Sequence, residues 1–171
     1  KIIIITDKNH KIAKHNKIKI ISTNTITLQF LKKNIDVSNS LILSFGSPWI
    51  FSDKIIKLFK NKLLNVHQSP LPKYKGSVAS YVILYGIKAL QSWIHVVTND
   101  FDSGDLIYSK NIFINKNLHN PLEVNNHIQR ENRVMIKNFL NDYTNNKKFT
   151  FFKQNKFFTS YLPRLNSNVN G

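Results

Sequence analysis

The sequence predicts an α/β fold in which a largely parallel sheet is flanked by helices. Three observations carry this. Apolar, β-branched runs recur at 2–6, 41–45, 63–66, 93–97 and 106–114, the signature of buried strands. Helical patterns stand between several of them, and strands alternating with helices favour parallel pairing through crossovers. The chain has 171 residues, 42% hydrophobic and 12% aromatic, which is enough for one ordinary core and excludes a disordered chain. Residues 1–146 are expected to form one domain and 147–171 a C-terminal extension.

The elements follow in order. Ile2–Thr6 reads as a buried strand, and Lys17–Ser22 as a second, strand-like piece. Thr25–Lys33 has the length of one short helix, and Leu41–Phe45 is a strand closed by Gly46-Ser47-Pro48. Ser52-Asp53 has the form of an N-cap with an acidic first turn, opening a helix to about Lys60 with Ile55, Ile56, Leu58 and Phe59 on its apolar face. Leu63–Val66 is a short strand, followed by a Pro-rich turn to Gly76 and a packed helix over Ser77–Ile87. Trp93–Val97 and Leu106–Ile114 are strands around the polar turn Asn99–Asp105. Pro121–Tyr143 is the longest helix, with Pro at its start and Leu122, Ile128, Met135, Ile136, Phe139 and Leu140 apolar. The aromatic, lysine-rich tail is expected to be extended. Residues 7–40 carry little helix, and a longer native protein is expected.

Composition narrows the chemistry. There are no cysteines, which removes disulfides, thiol nucleophiles and Cys-type zinc sites, and suits a cytoplasmic protein. No run approaches the ~20 apolar residues of a membrane span, so no membrane insertion is expected. Lys+Arg 25 against Asp+Glu 9 gives +16, a balance that attracts phosphates. Only Arg130, Arg133 and Arg164 are arginines, and the lysines are spread along the chain beside many asparagines and isoleucines. Nucleic-acid readers favour arginine, so a compositional bias explains the charge better than a nucleic-acid face, and no nucleic-acid partner is expected.

Two segments can carry chemistry. In Leu64-Asn65-Val66-His67, strand alternation turns Asn65 and His67 to one face, with Cα atoms about 6.5 Å apart. An amide donor beside a group titrating near neutrality suits the polarisation of a carbonyl. The alternative is that Asn65 caps a turn and His67 is a satisfied core residue. The rigid Ser69-Pro70-Leu71-Pro72 turn and Gly76 favour the site, because they fix a loop at the strand's C-terminal end. The second segment, Asn99-Asp100-Phe101-Asp102-Ser103-Gly104-Asp105, is expected at the same edge of the sheet; a plain surface turn is its alternative. His10, His15, His95, His119 and His127 show no metal-ligand spacing, and no dinucleotide, P-loop or hydrolase-elbow motif occurs.

Asn65-Val66-His67-Gln68-Ser69-Pro70-Leu71-Pro72-Lys73-Tyr74-Lys75-Gly76 and the later Asp102-Ser103-Gly104 resemble the signature of the folate-dependent formyltransferases: Asn-x-His, then Ser-x-Leu-Pro-x-x-x-Gly, then Asp-x-Gly. The likeness covers about 41–114 and is weaker outside, although Tyr161-Leu162-Pro163-Arg164 resembles a segment following the core in several members. It implies a Rossmann-like formyltransferase fold and a catalytic triad at Asn65, His67 and Asp102. It also implies 10-formyltetrahydrofolate as formyl donor, its pterin held by backbone groups of Phe45, Gly46, Ser47, Pro48, Trp49 and Ile50 and of Asn99 and Asp100. Trp49 serves equally as a packing residue. Gln68, Ser69 and Lys75 are the implied substrate contacts, with Lys73 and Arg130 as further cations for a pyrophosphate. No metal is implied.

The resemblance is closest to sugar N-formyltransferases, through Ser44–Phe51 and Gly76–Tyr81. It implies formylation of the 4-amino group of a nucleotide-linked, dTDP-type 4-amino-4,6-dideoxysugar for lipopolysaccharide O-antigen synthesis. Methionyl-tRNA formyltransferases share the core but append a basic β-barrel. Glycinamide ribonucleotide transformylases carry a glycine-rich loop that Ile5-Thr6-Asp7-Lys8 lacks. A non-catalytic, basic RNA-binding module is the rival of a different class. The aromatic tail suggests a homodimer.

Overall fold

The computed structural model describes residues 2–9, 18–76 and 78–162. Readings that fell on His10, His15, Lys17, Ser77, Pro163 and Arg164 lie outside them. The strands are β1 (Ile3–Asp7), β2 (Lys19–Thr23), β3 (Ile42–Phe45), β4 (Leu63–His67), β5 (Tyr74–Gly76), β6 (Ala89–Val96), β7 (Leu106–Phe113) and β8 (Ser160–Leu162). The helices are α1 (Leu28–Asn34), α2 (Asp53–Phe59), α3 (Ala79–Leu84) and α4 (Pro121–Thr144). Local chemistry sets their ends. Thr27 accepts a hydrogen bond from the Phe30 amide at 3.1 Å, so α1 starts at Leu28 rather than at Thr25. Asn120 accepts from the Glu123 amide at 2.9 Å, Pro121 follows, and the Glu123 carboxylate reaches back to the His119 amide at 3.1 Å. Ser52 precedes α2 as expected but makes no side-chain cap bond.

The α/β architecture is borne out. Three of the five strand pairings among the described residues, β3–β4, β1–β2 and β5–β8, are parallel. The antiparallel pairs sit together, because β6 runs against β4 and β7 against β6, giving the central order β3-β4-β6-β7.

Alternation along the central strands separates two layers. Leu64 and Val66 of β4, with Ile94 and Val96 of β6, pack beneath Met135 and Phe139 of α4. Leu90 and Ile112 meet Val124 and Ile128 of α4 and Val78 and Val82 beside and within α3. On the opposite face Leu63 joins Leu31, Ile55 and Phe59 of α1 and α2. Two expected core positions are corrected. Leu122 and Leu58 are exposed, because the buried stripes run through Val124 on α4 and through Ile55 and Phe59 on α2.

The tail is not simply extended. β8 adds to β5 in parallel, and Leu106 and Phe152 exchange backbone hydrogen bonds at 2.8 and 2.9 Å. Residues past α4 therefore pack back onto the loops that follow β4 and β6.

Candidate active site

The site begins with register. Asn65 pairs with His95, and His67 with Trp93, across β4 and β6. Residues opposite each other across a ladder share a face, so Asn65, His67 and His95 all point away from α4. The acidic loop was expected at the same edge as His67, and the antiparallel course of β6 corrects this. β6 ends beside Leu64, at the start of β4, and the loop folds back over the face to bring Asp102 to the two rings.

The geometry is compact. His67 Nδ1 lies 3.4 Å from Asp102 Oδ2, and His95 Nε2 lies 3.5 Å from Asp102 Oδ1. Asn65 Nδ2 is 3.3 Å from His95 Nε2, and the Gly76 amide donates to Asp102 Oδ2 at 3.4 Å. The two imidazoles stand edge to face, with centroids 6.1 Å apart. Hydrogen positions follow from the partners. The Val96 carbonyl, 2.8 Å from His95 Nδ1, accepts a proton held there. His95 Nε2 then lies between the Asn65 amide and the Asp102 carboxylate. The Asp102 carboxylate likewise favours a proton on His67 Nδ1. His67 Nε2 meets Ser69 Oγ at 2.6 Å and the Tyr74 carbonyl at 3.2 Å, and Ser69 Oγ also contacts that carbonyl.

Burial pushes the His67 imidazole below its ordinary value, against the opposing pull of the Asp102 carboxylate. Partial burial works to raise the Asp102 carboxyl, but the His95 hydrogen bond and the His67 ring outweigh it and hold the group below the usual carboxylate value. The result is a neutral buried imidazole beside an ionised carboxylate, with an amide donor alongside. His67, His95 and Asp102 offer donor atoms within 4.8 Å of one another, a spacing a divalent cation could bridge and one that two hydrogen bonds to a single carboxylate also produce.

Of the expected residues, Asn65, His67 and Asp102 come together. Ser69 is only 1% exposed, with its hydroxyl committed to His67 and Tyr74, so it faces the ring and not an open pocket. Gln68 is half-buried, and Lys75 Nζ donates to Ser103 Oγ at 2.5 Å. Phe45, Gly46, Ser47, Pro48 and Trp49 line a cleft of about 750 Å³ between β1 and β3, while Ile50 is exposed and the Trp49 indole donates to the Asn24 carbonyl at 3.1 Å. Asn99 and Asp100 line a separate depression of about 410 Å³ with Lys75, Phe101, Ser103 and Thr159. The two expected pterin-binding segments thus line different hollows. Lys73 and Arg130 are exposed, and Lys73 lies over the Tyr74 ring at 5.0 Å.

Sequence reasoning missed His95, because motif spacing was sought along the chain and the partner is set by strand register. The alternation of β6 against β4 is the signal that finds it. It also missed Gln154, whose side-chain amide donates to the Asp102 and Gly104 carbonyls at 3.0 and 2.7 Å.

Fold and site define an α/β domain with an amide, an imidazole and a carboxylate gathered over one face of a mixed sheet. The formyl transferase family matches residues 8–139, and the chain belongs to that family. The methionyl-tRNA formyltransferase of Buchnera aphidicola subsp. Baizongia pistaciae is 32% identical over 119 residues, which are 66% of this chain and 36% of that protein. The trifunctional purine biosynthetic protein adenosine-3 of Gallus gallus is 32% identical over 76 residues, 44% of this chain and 8% of that one. This chain thus spans about a third, or less, of the length of these relatives. Among solved structures, the sugar 3N-formyl transferase WlaRD, in the presence of dTDP and 5-N-formyl-THF, superposes with a TM-score of 0.66 at 24% identity, covering 95% of this chain and 59% of that one. Methionyl-tRNA formyltransferase from Clostridium thermocellum gives 0.63 at 17% identity, covering 96% and 72%. These two share the fold.

Proposed function

We propose that this chain carries out folate-dependent N-formyl transfer, with 10-formyltetrahydrofolate as donor and the 4-amino group of a nucleotide-linked, dTDP-type 4-amino-4,6-dideoxysugar as acceptor. The observation that carries it is the carboxyl of Asp102 lying 3.4 Å from His67 and 3.5 Å from His95, with the Asn65 amide beside them.

When bound, the folate supplies an activated formyl carbon for the acceptor amine to attack. Asn65 Nδ2–H donates to the formyl oxygen as negative charge develops on it, an interaction worth about 3–4 kcal/mol of barrier on the scale of oxyanion donors. Asp102 fixes the Nδ1–H form of His67 and stabilises its charged form. The neutral ring takes the amine's proton at Nε2, where the Ser69 oxygen, its own hydroxyl donating to the Tyr74 carbonyl, accepts from the charged ring, and the proton passes on to the folate nitrogen as its bond to the formyl carbon breaks. The backbone of Phe45–Ile50 and of Asn99 and Asp100 is proposed to hold the pterin. Gln68 and Lys75 are proposed for the nucleotide sugar, and Ser69 for the support of His67. Residues 1–146 are proposed as the catalytic domain and 147–171 as an extension to it.

The sugar acceptor is supported by solved neighbours determined with dTDP or a nucleotide-linked amino sugar, among them a formyltransferase from Helicobacter canadensis in complex with folinic acid and dTDP-3-aminofucose, with a TM-score of 0.60 at 24% identity, covering 95% of this chain and 70% of that one. A second acceptor, methionyl-tRNA, is favoured by the 32% identity to the Buchnera aphidicola enzyme. A panel separates them: dTDP-, GDP- and UDP-linked amino sugars and charged initiator tRNA, each with 10-formyltetrahydrofolate, scored by mass of the formylated product. Formylation of an amino sugar, lost in Asn65→Ala, is expected. Formylation of tRNA alone overturns the sugar reading, and formylation of nothing by the full-length protein overturns the activity. A cytoplasmic site is proposed for the protein on its lack of cysteine; no helix among the described residues is long and apolar enough to cross a membrane.

A further inference from the structure

We propose that Gln154 is a positioning residue for Asp102, so that the segment following α4 completes the site. The proposal rests on the formyl-transfer reading for its kinetic consequence but not for its structural one.

Asp102 has φ +49°, a left-handed conformation uncommon outside glycine but adopted by aspartate more readily than by most residues. Gln154 Nε2 grips the backbone on both sides of the next residue. Its two hydrogens reach the carbonyls of Asp102 and Gly104, at 3.0 and 2.7 Å, on either side of Ser103. With acceptors on both sides, the amide can present only its nitrogen to the loop. The strap that carries Gln154 is itself anchored: Phe152 exchanges backbone bonds with Leu106 at 2.8 and 2.9 Å, and Phe149 packs against Phe139 with ring centroids 5.1 Å apart. From the opposite side the loop is pressed onto β6, because a Cβ on Gly104 would fall on the Val96 carbonyl oxygen. The carboxylate of Asp102 is thus held between the His67 and His95 rings by a backbone gripped on two sides. At 3.4 and 3.5 Å both contacts stand at the outer limit of hydrogen-bonding range, so a further displacement of about 1 Å abolishes them. Gln154 lies beyond residue 139, where the family match ends, so the grip comes from outside the matched segment.

Gln154→Glu keeps the shape and removes the donor; Gln154→Lys restores a donor. In the full chain, Gln154→Glu is expected to lower kcat of formyl transfer at least tenfold, with KM for donor and acceptor unchanged within twofold and a native thermal transition. Gln154→Lys is expected within threefold of wild type. The imidazole nitrogen shifts of His67, read by NMR without substrate, are expected to move in Gln154→Glu and to return in Gln154→Lys. Unmoved shifts, or a lysine variant as impaired as the glutamate variant, overturn the proposal. Should Gln154→Glu fail to fold, Gln154→Met, which has no donor and no charge, takes its place in the same measurements. A wild type that moves no formyl group overturns the activity reading instead, and the shifts still decide the role of Gln154.

Discussion

Asp102→Asn tests the site at its centre. The substitution preserves shape and removes the one charge lying 3.4 Å from His67 Nδ1 and 3.5 Å from His95 Nε2. At an effective dielectric of ~20, a unit charge at that distance favours an imidazolium by about 5 kcal/mol, an upper bound. The carboxylate side chain is 17% exposed, so solvent keeps part of that interaction, and the amide that replaces it recovers a hydrogen bond to one ring. A loss of about 4 kcal/mol remains for a step in which His67 becomes charged, a fall in kcat on the order of 10³. The amide can also donate to His67 Nδ1 and so favour the tautomer with its proton on Nε2, which adds to the loss. The assay is steady-state formyl transfer from 10-formyltetrahydrofolate across pH, with a thermal melt to show that the fold survives. The acidic limb of kcat/KM should shift to lower pH in the variant, because the carboxylate is what raises the His67 proton affinity against burial. Activity within a few-fold of wild type, or a loss carried by KM alone, refutes the reasoning.

Other expectations do not depend on which amine is the acceptor. Phe139→Ala removes a ring that is 1% exposed and packs against Tyr108, Tyr143 and Phe149, and should cost about 3–5 kcal/mol of unfolding free energy by urea titration. Gly104→Ala places a methyl on the Val96 carbonyl, which cannot yield without breaking β6; formyl transfer should fall at least a hundredfold while the far-UV spectrum stays native. Stability should decline in two acid steps. His67 is held below 6.5, so between its folded and unfolded values the unfolded chain binds the extra proton, and stability present above pH 6.5 is lost as pH falls below it. Asp102 is held below 3.8, so its contribution, present above pH 3.8, is lost below that value by the same sign. His67→Gln should remove the first step from a plot of Tm against pH and weaken the second, because the His67 ring is one of the groups that hold the Asp102 carboxyl down.

Much of this was legible in the chain. The strands around Leu43, Val66, Ile94 and Ile107 show themselves as apolar runs because they are covered on at least one face. α4 shows its start in Asn120, Pro121 and Glu123 because capping is local. Asn65 and His67 could be read as one face because strand alternation needs only the strand. What could not be read depends on contacts far apart in sequence. β5 is three residues long and exists because β8 lies beside it. His95 carries no motif and joins the site only through its pairing with Asn65. The split of the two expected pterin segments between separate hollows follows from the relation of β1 to β3, which no local signal encodes.

The antiparallel course of β6 explains why this chemistry can be assembled from so few residues. Had β6 run parallel to β4, its following loop would leave the same edge as the Ser69–Gly76 turn, and the two would compete for the space above His67. Running the other way, β6 delivers His95 opposite Asn65, and β7 starts beside its end, with Leu106 opposite His95, so the loop between them leaves one edge of the sheet, folds over its face and returns to the same edge. That return carries Asp102 over two imidazoles at once and forces a left-handed turn at the residue doing so. Among the described residues, the backbone of the turn is held from β6 only at its far end, where the Val96 amide donates to the Asp105 carbonyl at 2.9 Å and Gly104 packs on the Val96 carbonyl. The strap after α4 lies across the start of β7, where Leu106 pairs with Phe152, and Gln154 then falls within reach of the turn. Site geometry and tail packing are therefore one structural problem. A variant that loosens Phe152 from Leu106 should disturb His67 before it disturbs the core beneath α4.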